Sequence, residues 1–231
     1  MNYAEFWILE TAVEYGVPLS LIHGPIASVE AQWNKPFHGQ TRDELITSLV
    51  ALVDQGDIVV ADEIRDVCLS THSEIDECLQ WKRFHPSATY RLTPQGGARW
   101  EKFAAPDWAC FHSYDWDQHN EEFLEIGALT PQIAQRAFEY SAAWNGLDVD
   151  SETLHHRSIS PWQATYWKSF EHGHIIRFKC SSTAQNDFHR QRMKNWSDGD
   201  ICRVMVHVHS EYRYFANWYS PHPEQRRSGD Y

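Results

Sequence analysis

Positive charge is scarce in this chain. Lys and Arg number 20 against 32 Asp and Glu over 231 residues, a formal net charge of −12. Residues 1–105 carry 8 basic against 15 acidic side chains, and residues 106–231 carry 12 against 17. Affinity for duplex DNA comes largely from Lys and Arg on phosphates, so the default moves away from nucleic acid. The acidity either serves solubility alone or attracts a basic protein partner. Long apolar runs are also missing. None approaches the roughly 20 residues that span a bilayer, which excludes a helical membrane protein. The acidic start Met1-Asn2-Tyr3-Ala4-Glu5 lacks the basic opening of a signal peptide. The expectation is a soluble cytoplasmic protein with no membrane partner.

Cysteines are few and odd in number. Cys68, Cys78, Cys110, Cys180 and Cys202 form no C-x-x-C pair, so neither a disulfide framework nor a zinc ribbon is indicated. No G-x-S-x-G elbow, Walker loop, G-x-G-x-x-G or H-E-x-x-H is present. The expectation is no cofactor and no enzymatic activity, although a Cys–His nucleophile assembled only in three dimensions leaves no local signature.

Aromatic residues, by contrast, are plentiful at 14%, with 11 Trp, and hydrophobic residues reach 42%, far from the composition of a disordered chain. The patterning is α+β. Residues 3–15 repeat apolar side chains at spacings of three and four, which predicts a helix ended by Gly16. Residues 41–55 give the strongest helix signal. Thr41 and Glu44 form a T-x-x-E capping box, Leu45, Ile46, Leu49, Val50, Leu52 and Val53 form the stripe, and Gly56 closes the helix. Ile58-Val59-Val60 reads as a strand. Tyr90-Arg91-Leu92-Thr93 is a second strand, and Thr93-Pro94 then caps a helix to about Ala104. Further on, residues 131–144 are helical, residues 174–180 and 201–209 are strands, and residues 184–196 between them are helical. Asp148-x-Asp150-x-Glu152 and His155-His156-Arg157 read as solvated loops, and the tail from Pro221 as frayed. The domains are then 1–105 and 106–231, the second an α+β unit with a small sheet.

The order helix, helix, capped helix, glycine, strand, wing, strand, helix resembles the winged-helix module of bacterial regulators. The resemblance rests on Thr41–Gln55, on Gly56-Asp57-Ile58-Val59, and on Tyr90-Arg91-Leu92-Thr93 with Gly96 and Gly97, and it covers about residues 3–104. It implies a third helix that reads the DNA major groove, with Arg42, Asp43, Thr47, Ser48 and Ala51 outward. Only Arg42 offers a bidentate base contact, beside Asp43 and Glu44. The segment that maps to the wing holds Asp62, Glu63, Asp66, Glu74, Asp76 and Glu77 against Arg65, Lys82 and Arg83, whereas a wing that clamps phosphates should be basic.

Three functions follow. The first is a non-enzymatic binding or regulatory protein whose acidic surface meets a partner, one form being neutralisation of a basic nuclease or toxin. Tyr212, Tyr214 and Trp218 are its candidate aromatic contacts, since Tyr, Trp and Arg dominate binding hot spots. The second is a winged-helix transcription regulator reading DNA through Arg42, Thr47 and Ser48. The third is a metal-dependent enzyme built on His172, His174, His207 and His209, because residues two apart on a strand share a face.

Overall fold

The computed structural model describes residues 1–23, 38–62, 64–79, 88–116, 123–145, 147–181, 218–220 and 222. It is a mixed α+β protein with six helices and antiparallel sheets among those residues. The chain divides into two compact units. The first holds the described residues up to 106 together with 219, 220 and 222, and the second holds those from 107 to 181 together with 218.

In the first unit, α1 (Tyr3–Thr11) starts at an Asn2–Glu5 capping box and buries Phe6, Trp7, Ile8 and Leu9 completely. It ends four residues short of the span predicted from sequence. The Thr11 hydroxyl donates to the Trp7 carbonyl at 2.6 Å, and Ala12 is the cap. Ala12 and Val13 remain buried beyond the end, so apolar periodicity continues where the helix does not. Next come β1 (Val17–Pro18) and the single turn α2 (Leu19–Ile22).

Helix α3 (Arg42–Asp54) has the capping box read from sequence. The Thr41 N–H donates to Glu44 Oε2 at 2.8 Å, and the Glu44 N–H donates to Thr41 Oγ1. Leu45, Ile46, Leu49 and Leu52 are buried, while Val50 and Val53 are only half-buried. At the other end Gly56 takes φ +74°. Its N–H donates to the Val53 carbonyl, and the Asp57 N–H donates to that of Leu52. This pair of bonds is a Schellman stop, which needs a residue that tolerates the left-handed region.

The chain continues through β2 (Ile58–Asp62), β3 (Val67–Leu69), α4 (His72–Leu79), β4 (Ala88–Leu92) and α5 (Pro94–Ala104). The antiparallel sheet has the order β1-β4-β2-β3, with Val60 and Val17 both opposite Tyr90. The Tyr90 side chain is buried and its hydroxyl donates to the Ile8 carbonyl at 3.2 Å, tying the sheet to α1. Thr93 caps α5 by accepting from the Gly96 N–H at 3.0 Å, and its own hydroxyl donates to the Gly56 carbonyl at 2.6 Å. The start of α5 therefore sits directly on the exit of α3. A Cβ at position 96 would fall 1.9 Å from the Asp57 carbonyl oxygen, which explains the first glycine of the Q-G-G phrase. Arg99 closes this junction through ion pairs to Glu5 at 2.8 Å and to the buried Asp57 carboxylate. The expectation of a frayed tail from Pro221 is overturned at His222. This ring is buried and stacked on Phe103 at 5.3 Å, with Tyr3 and Phe6 beside it, because its flat face matches the aromatic surface of α1 and α5.

In the second unit, β5 (His112–Trp116), β6 (Phe123–Ala128), α6 (Pro131–Asn145), β7 (Asp148–Ile159), the short β8 (Trp162–Gln163) and β9 (Ser169–Phe170), and β10 (Gly173–Ser181) follow in order. The main sheet runs β5-β6-β10-β7, all antiparallel. Leu124, Ile126 and Ala128 of β6, Ile176 and Phe178 of β10, and Ala134 and Ala137 of α6 make its core. Two expectations fail here. Asp148, Asp150, Glu152, His155, His156 and Arg157 are not in loops but along β7. An outermost strand exposed over most of its length shows no apolar alternation, so its residues read as loop. Strand β6 also went unread. The strand at 201–209 and the helix at 184–196 lie outside the described residues.

Candidate functional site

The outward side of α3 carries Asp43, Glu44, Thr47 and Ser48. With Gly39 and Gln40 they line an open depression of about 480 Å³. The side chains in it are already engaged. The Gln40 amide donates to Ser48 Oγ at 2.7 Å, and the Thr47 hydroxyl donates to the Asp43 carbonyl at 2.8 Å. The DNA-reading candidates Thr47 and Ser48 are thus outward, as the helical spacing implies, but tied to their own neighbourhood.

Arg42 is tied more firmly. Its Nε donates to Asp76 Oδ1 at 2.6 Å, and Nη2 lies 2.6 Å from both that oxygen and the Asp76 carbonyl oxygen. Nη1 reaches the Leu79 carbonyl at 3.5 Å. The fork of one guanidinium therefore clips α4 onto the start of α3, and the group is only 30% exposed. Charge-assisted bonds of this kind are among the stronger side-chain bonds, so releasing Arg42 to a base edge would break them. His23 lies in the same neighbourhood. Burial, and then the Arg42 charge, push its pKa down.

Two carboxyls of this region, Glu44 and Glu74, are held below their ordinary value. Bonds from the Thr41 backbone and then its hydroxyl hold the Glu44 carboxyl below its ordinary value of 4.5. Glu74 caps α4 in the same way. It accepts from the Thr71 hydroxyl at 2.7 Å and from the Thr71 N–H at 3.0 Å, and is lowered by those bonds. Both groups are fully exposed, so their charge faces solvent. The sign follows from the depressed values: the stability these carboxylates contribute is complete above the ordinary 4.5 and is lost as pH falls through the lowered folded-state values. The double variant Glu44→Gln, Glu74→Gln is expected to flatten the acid limb of stability in urea titrations run at successive pH values below neutrality. An acid limb as steep as that of the parent would contradict this.

Cysteine nucleophiles find no support among the described thiols whose pKa is displaced. Burial pushes up Cys78 and Cys180, and the bond from Cys110 Sγ to Asp107 at 3.3 Å, followed by burial, pushes up Cys110. A raised value keeps a thiol protonated and unreactive. Of the four metal candidates, His172 and His174 are described. His172 precedes β10, is 72% exposed and sits 3.3 Å from Glu171, while His174 is within β10, half-buried, with Nδ1 3.4 Å from Ser158 Oγ. His207 and His209 lie outside the described residues, among which no three His, Cys, Asp or Glu side chains converge. Of the aromatic candidates, Tyr212 and Tyr214 also lie outside them. Trp218 is only 3% exposed and packs with Trp108 at 4.9 Å and Phe111 at 4.8 Å, so its ring belongs to the interior of the second unit and is not an open contact.

Two features of this surface escaped the sequence reading. The Thr71–Glu74 box has the same T-x-x-E spacing as Thr41–Glu44 and was legible. The Arg42–Asp76 clip joins residues 34 apart and has no local signature. No family model, curated protein or solved structure matches the chain. Among the described residues no helix is long and apolar enough to cross a membrane.

Proposed function

We propose that this protein is a non-enzymatic binding protein whose N-terminal unit is winged-helix-like and uses its third helix to hold a basic protein partner. The observation that carries the reading is the clip on Arg42: the one cation on the outward side of α3 is neutralised by Asp76, while Asp43, Glu44, Glu74 and Glu77 remain exposed on α3 and α4. A helix dressed this way repels phosphate and attracts Lys and Arg. The winged-helix reading is supported by the succession α1, β1, α2, α3, β2, β4, α5, in which β4 lies between β1 and β2. The segment mapped to the wing includes β3 and α4, and α4 is the element that Arg42 holds.

The reading is tested by offering the full chain a labelled arginine-rich peptide and a labelled duplex DNA in parallel. The peptide is expected to bind and to weaken steeply as salt rises, because the interaction is between exposed charges. The duplex is expected to show no retardation. Salt-sensitive retardation of DNA at sub-micromolar protein would instead establish the regulator.

A further inference from the structure

We draw no further inference here: the strongest candidate, the face of the main sheet in the C-terminal unit where Arg177 and Lys179 lie over the Phe123 ring, carries nothing, since Arg157 and Arg177 are already paired with Glu125 and nothing in the structure shows what covers it.

Discussion

Replacement of Trp218 by alanine is expected to unfold the C-terminal unit more readily. Loss of a buried Trp costs about 3–5 kcal/mol, which for a unit of this size lowers the midpoint of its transition by about ten degrees or more. The side chain is 3% exposed, and its ring centroid lies within 5 Å of those of both Trp108 and Phe111. Its carbonyl accepts from the Asp107 N–H. Around it, Trp162 stacks on Phe170 at 5.8 Å and packs over Gly127 and Gly173, and the Lys168 ammonium lies 5.6 Å from the Trp108 ring centroid. Removing the centre of such a group leaves a cavity whose aromatic walls relax only in part. Trp218→Phe should restore part of the lost stability, because it refills part of the volume. The measurement is far-ultraviolet circular dichroism during heating. Unchanged melting, together with loss of a captured partner, would return Trp218 to the role of an exposed hot spot.

This residue also shows where sequence reading stops. Tyr212, Tyr214 and Trp218 form an aromatic phrase, and the phrase fits a recognition surface and a core equally well. Burial decides between them, and burial depends on Trp108 and Phe111, more than a hundred residues away. Short-range signals fared better. The Thr41–Glu44 box, the Gly56 stop and the Thr93-Pro94 start are set by bonds spanning three to five residues, and each was legible. Strand β7 was missed for the opposite reason. Its pairing partner β10 supplies the order, and its own side chains, mostly in water, carry no alternation. The composition of the site was legible too, since the carboxylates near α3 can be counted. The state of its one cation was not, because Asp76 reaches Arg42 only after α4 has folded back against α3.

That cation frames the second large effect. The pair Asp43→Lys and Glu77→Lys is expected to weaken capture of an arginine-rich peptide by about a hundredfold, since like charges placed across an interface cost several kcal/mol. These two positions are chosen because their side chains are exposed and neither forms a cap, whereas Glu44 and Glu74 hold the starts of their helices. Stability should change by no more than about 0.5 kcal/mol, as is usual for surface sites. Asp43 in the first turn of α3 favours the helix dipole, so its reversal sets the larger part of that cost. The same variant should retain duplex DNA better than the parent, because two new ammonium groups join a surface whose Arg42 is otherwise occupied by Asp76. The two probes move in opposite directions only if a single face governs both. If capture of the basic peptide survives the reversal, the acidic side of α3 and α4 is not where the partner sits.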